Sequence, residues 1–202
     1  MKKKLAVAVV LVFLLSLMPS GARTWKWASD AYGLVVLATL EPDQVSRNPY
    51  SEHGLLVSPD LAVWMLKSFA YPYDRCSKLS ETLGLCGKPL VGWVGRTLDA
   101  GSPESAERGY ALLAHFVSRG EDVNALTDGM APVHEAILYR NPRYLNALLA
   151  AGANLAVKID RPEKDYDGFD AVEFLALLES RQPDGFGEIR AIVDEHRSFS
   201  RR

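Results

Sequence analysis

Gly129-Met130-Ala131-Pro132-Val133-His134-Glu135-Ala136, followed by Gly152-Ala153-Asn154, is the stretch that decides the fold. Pro132 suits the first turn of a helix, where its preset φ helps and its missing N–H would be unpaired anyway. Val133, Ala136 and Ile137, then Leu145, Leu148 and Leu149, recur at helical spacing, so each of two short helices receives one apolar face. Asn141-Pro142 separates them, because the residue before a proline is pushed out of the α region. Gly152 supplies the left-handed position that stops the second helix. The same ending appears upstream as Gly120-Glu121-Asp122-Val123-Asn124-Ala125, and the two glycines stand about 32 residues apart.

This pattern resembles the ankyrin repeat, whose period is about 33 residues. The resemblance is strongest over residues 110–158 and extends more loosely over 87–195. Lys88-Pro89-Leu90-Val91 begins an earlier copy, with Gly92 in the histidine's place. Val94, Leu98, Tyr110, Leu113, Phe116 and Val117 supply its helices, and about eleven extra residues lie around Gly101-Ser102-Pro103, in a loop or a longer helix. A third copy runs through Asp167-Gly168-Phe169-Asp170-Ala171-Val172-Glu173-Phe174, Leu175, Leu177 and Leu178. It turns at Pro183-Asp184-Gly185 and ends with Ile189, Ile192 and Val193. The implied fold is all-α: an ankyrin-repeat solenoid of about three helix-turn-helix units over 87–202, with a helical cap over 23–86. His134 is then structural, and Ala131 replaces the threonine usual in the family.

The resemblance also implies a protein partner and no chemistry. The fingers between repeats would carry recognition: Asn124, Leu126, Thr127 and Asp128 from a short one, Arg161, Lys164 and Tyr166 from a long one. Glu135, Leu138 and Tyr139 would join them from the exposed side of the first helix. Two roles fit such a surface. One is an inhibitor or immunity-type protein against a secreted toxin. The other is an accessory protein for an envelope enzyme or for oxidative-stress defence.

Lys2-Lys3-Lys4, the apolar run from Leu5 to Met18, and Ser20-Gly21-Ala22 have the order of a secretory signal peptide cleaved after Ala22. The run is shorter than a membrane-spanning helix needs. Residues 1–22 are therefore expected to leave, giving a periplasmic or secreted monomer with no stable membrane insertion. The chain carries a formal −2 and loses three lysines on cleavage. Such a product is a poor partner for nucleic acid. Basic residues from His196 to Arg202 read as a solvated tail. In an exported chain the two cysteines, Cys76 and Cys86, favour a structural disulfide.

Residues 23–60 are the hardest to read. The apolar run Tyr32 to Leu40 suits helix or strand, and Asn48-Pro49 reads as a turn. Leu61, Val63, Trp64, Leu66 and Phe69 look like a buried helix. None of the histidines (His53, His115, His134, His196) has metal-ligand spacing. Glu163, Asp165, Asp167 and Asp170 lack a full calcium loop and read as a solvated charge run. No cofactor or metal is expected.

Overall fold

The computed structural model describes residues 17–22, 24–26, 28–41, 56–68, 71–98 and 101–199. Most of the apolar leader, Trp27, Asn48-Pro49, Phe69 and Arg201-Arg202 lie outside them. The described chain is helical, with no strand beyond one isolated bridge. It divides into two compact units, residues 1–87 with 100–112 and residues 88–99 with 113–202.

In the first unit, α1 comprises the helical residues 17–22, 24–26 and 28, and leads to α2 (Ala31–Ala38). The ambiguous apolar run is this helix. Leu34, Val35, Leu37 and Ala38 are fully buried, so an all-round apolar segment shows no period to read. Asp30 caps α2 by accepting Gly33 N–H at 2.9 Å, and its other oxygen accepts Ser77 N–H at 2.7 Å. Burial pushes the Asp30 carboxyl up, but hydrogen bonds from Ser80, Gly33 and Ser77 outweigh that and hold it below the usual range. At the far end of α2, Arg108 donates to the Ala38 and Leu40 carbonyls at 2.6 and 2.9 Å. Those carbonyls would otherwise have no helical partner.

Helix α3 (Pro59–Lys67) packs on α2 and starts at Ser58, whose hydroxyl accepts Leu61 N–H at 3.2 Å. It buries Ala62 and Leu66 but leaves Leu61 and Trp64 exposed, which corrects the expectation of a buried helix. Cys76 and Cys86 are bonded, with 5.8 Å between their Cα atoms. They enclose α4 (Lys78–Thr82), and the loop is anchored by buried Ser80 and Leu85.

The second unit contains α5 (Leu90–Gly95), α7 (Pro132–Leu138), α8 (Pro142–Ala150), α9 (Ala171–Arg181) and α10 (Gly187–Phe199). It also takes the last residues of α6 (Pro103–Ser118), whose first ten belong to the other unit. Most of the extra length expected between Pro89 and Gly120 is helix, since α6 has sixteen residues where α8 has nine. Helix α7 packs against α5, α8 and α9, and α8 packs against α10. Gly87, Gly129 and Gly168 have φ of 78°, 76° and 72°, and each stands three residues before the start of α5, α7 or α9. The core includes Val94, Phe116, Ile137, Leu145, Leu148, Phe174 and Ile189. Leu149, expected beside Leu148, is only half-buried. The C-terminal stretch is no frayed tail as far as Phe199, because α10 continues to that residue.

Candidate recognition surface

The short finger is a two-residue turn. Asp128 and Gly129 both have positive φ, 52° and 76°, and Thr127 and Met130 exchange backbone bonds of 2.8 and 3.1 Å. An Asp-Gly pair favours that geometry because both central residues must be left-handed. Gly129 also meets the second finger, where its carbonyl accepts Asp160 N–H at 2.9 Å. A Cβ on Gly129 would stand 2.0 Å from the Asp160 carbonyl oxygen. Arg161 Nε donates to the Asp128 carbonyl at 2.6 Å, so the two fingers are fastened to each other.

The long finger is built rather than loose. Ile159 N–H donates to Phe169 O and Gly168 N–H to Ile159 O, both at 2.9 Å. Asp167 Oδ1 accepts Arg161 N–H at 2.7 Å, and Asp165 pairs with Arg181. The Tyr166 ring lies 5.3 Å from the Phe174 ring, which itself meets His134 edge-on at 6.0 Å.

Lys88 and Arg96 join Arg161 at the short finger. Lys88 Nζ lies 2.6 Å from Asp128 Oδ1, and Arg96 Nη2 lies 3.0 Å from Asp128 Oδ2. Hydrogen bonds from Lys88 and Arg96 hold the Asp128 carboxyl below its ordinary range. Arg96 also reaches Glu135 Oε1 through Nε and Nη2, at 3.1 and 2.9 Å. Burial nevertheless pushes the Glu135 carboxyl up, against the pull of Arg96. Gly92 of α5 faces this cluster closely, since a Cβ there would lie 2.8 Å from Thr127 Oγ1.

His134 is fully buried at the third position of α7. Its Nδ1 accepts Ala131 N–H at 3.2 Å, so the neutral ring carries its proton on Nε2. Burial lowers the imidazole to about 4, opposed by the Val157 backbone and Asp170. A ring so enclosed, with one nitrogen committed to capping, is a structural group. Among the described residues no group of histidine, cysteine and carboxylate side chains is placed to hold a metal ion.

The ten residues expected at the surface divide sharply. Leu126, Leu138 and Tyr139 are 39%, 41% and 54% exposed, and Lys164 is exposed as well. Asp128 is exposed but already paired. Asn124 is half-buried, its Oδ1 accepting Asn154 N–H at 2.7 Å. Arg161 and Tyr166 are half-buried in contacts between and under the fingers. Thr127 and Glu135 were expected to be exposed and are each 3% exposed, because the hairpin tucks one inward and Arg96 draws the other in. Arg96 was not among the expected residues, and Lys88 figured only as the start of an earlier unit, because a lone cation carries no sign of its distant partner. Tyr144 was missed too: it is fully buried, and a Cβ on Gly95 would stand 2.1 Å from its hydroxyl. Neither the protein-family models nor the curated proteins nor the solved structures contain a match to this chain.

Proposed function

We propose that this protein is a non-catalytic, ankyrin-type recognition module that binds a protein partner after export. Repeated architecture supports the reading: three first helices in contact in series, each preceded by a left-handed glycine, with fingers between them. The observation that carries the binding role is the set of large apolar side chains left exposed on this pinned framework, Leu126, Leu138 and Tyr139. A tyrosine held on a rigid element contributes apolar area and a hydroxyl at low entropic cost. An inhibitor or immunity-type role against a secreted toxin is the form of this reading we favour, with an accessory role for an envelope enzyme as the alternative.

Affinity capture from periplasm, followed by titration of the captured protein, tests the proposal. Tyr139→Ala is expected to weaken the complex by about thirtyfold, as hot-spot truncation does. Its melting temperature should stay near that of the parent, because the side chain is more than half exposed. Undiminished affinity in a Leu126→Ala, Tyr139→Ala, Lys164→Ala triple variant overturns this surface. Arg161 and Tyr166 are unsuited to the test, since their loss would also disturb the fingers. Capture of a toxin-like hydrolase separates the immunity role from the accessory one. Export is checked apart from binding, by whether the intact mass of the periplasmic protein lacks residues 1–22.

A further inference from the structure

We propose that α3 is a self-association surface, on which two copies of the chain pair antiparallel with the Trp64 of each seated against Val63 of the other. The observation lies in the first unit and is independent of the recognition surface above. Helix α3 buries Ala62 and Leu66 on one side. On the other it presents Asp60, Leu61, Trp64 and Lys67, at the spacings that put residues on one helical face. Leu61 is 40% and Trp64 67% exposed. Beside Leu61 runs a shallow, open groove of about 420 Å³, lined by Asp60, Val63, Trp64 and Lys67 of α3 and by Glu107, Arg108 and Ala111 of α6.

The charges on this face select the occupant. Asp60 stands at the beginning of α3, 4.0 Å from Arg108 Nη1 of its own copy, a long contact that leaves its side chain 88% exposed, and exposed Lys67 stands at the end of the helix. Val63 and Trp64 lie midway between them. A two-fold axis through that midpoint places Asp60 of each copy on Lys67 of the other, forming two equivalent ion pairs. The same operation sets each indole on the opposite Val63 and into the groove. A contact in which one patch meets itself is what a closed dimer requires. Parallel pairing would instead oppose like charges at both ends. Lys67 and Arg108 balance Asp60 and Glu107 on this face, so it has no net positive charge to draw an anionic membrane or nucleic acid. The dimer departs from the monomer expected from sequence.

Sedimentation velocity of the full processed chain across the micromolar range tests the proposal. A concentration-dependent dimer is expected, and Trp64→Ala should raise its dissociation constant about thirtyfold or more. Asp60→Lys alone and Lys67→Asp alone should each weaken the dimer, while the two changes together restore it. All three side chains are exposed, so the variants should keep the parent's circular dichroism, and each charge reversal should cost only the small contribution, about 0.3 to 1 kcal/mol, of a charge at a helix end. A chain that stays monomeric overturns the proposal, whatever other partner the face then meets. So does a dimer whose constant is unchanged by Trp64→Ala. If Trp64→Ala lowers the melting temperature, the charge exchange decides, and failure of the double variant to recover overturns the antiparallel pairing.

Discussion

The starts of α7 and α9 solve one local problem with opposite chemistry. In each, the backbone N–H just before the helix is taken by the side chain three positions on. Ala131 N–H donates to His134 Nδ1 at 3.2 Å, and Asp170 N–H donates to Glu173 Oε2 at 2.9 Å. The imidazole is fully buried against Phe174, whereas the Glu173 side chain is 52% exposed and shared with Lys158. At α9 the reciprocal half exists too, because Asp170 accepts from Val172 and Glu173. Ala131 has no group to return the bond. Helix α5 needs neither device: Pro89 at its cap has no N–H, and Gly92 stands at the matching third position. A capping role is therefore cheap at the surface and consequential in the core.

The largest effect that comparison predicts is for His134→Ala, which opens a cavity beside Phe174 and strands the Ala131 N–H. It should cost about 4 kcal/mol, read from denaturant midpoints at neutral pH. A loss near that of a surface substitution would remove His134 from the core role. Next comes Gly129→Ala, expected to cost about 3 kcal/mol, since a left-handed alanine is strained and its Cβ would meet the Asp160 carbonyl at 2.0 Å.

The third expectation concerns pH. The folded imidazole has its pKa lowered from 6.5 to about 4, so only the unfolded chain takes up a proton between those values. Stability should be fully present above about 6.5 and fall as pH drops toward 4, by on the order of 2 to 3 kcal/mol. Comparing the parent with His134→Gln over this window isolates the effect, because the variant cannot titrate there. Glu173 behaves otherwise: the Asp170 backbone bond and Lys158 lower its pKa, so its contribution is present above 4.5 and lost only below it.

Gly168→Ala sharpens the contrast between the two turns. Its φ of 72° matches Gly129, but nothing lies within 4 Å of a Cβ there, so about 1 kcal/mol of backbone strain is all that is expected. A loss equal to that of Gly129→Ala would show that contact between the fingers is not what sets Gly129 apart. Glu173→Gln should be smallest, moving the melting temperature by under about 2 °C, since the amide oxygen still accepts the capping bond.

Local signals carried much of this chain. Pro132, Asn141-Pro142 and Gly152 marked the bounds of α7 and α8, because φ restriction and missing donors act within a residue or two. The bonded cysteines likewise lie where their close spacing suggested. Legibility failed at α3, where apolar residues of adequate spacing point outward, and at α2, where burial on every side erases the period.

The candidate surface was less legible than the helices. Sequence selected Thr127 and Glu135 by position on a finger and a helix, but Arg96 and the close backbone of Gly92 turned both inward. The chain by itself determined where the backbone turns and which residues can stand at a helix start. Only tertiary structure decided which polar groups are spent holding the fingers and which apolar ones remain outside. Burial and pairing depend on partners 30 to 40 positions away, Asn154 for Asn124, Arg96 for Glu135 and Lys88 for the exposed but paired Asp128, and no local propensity encodes those distances.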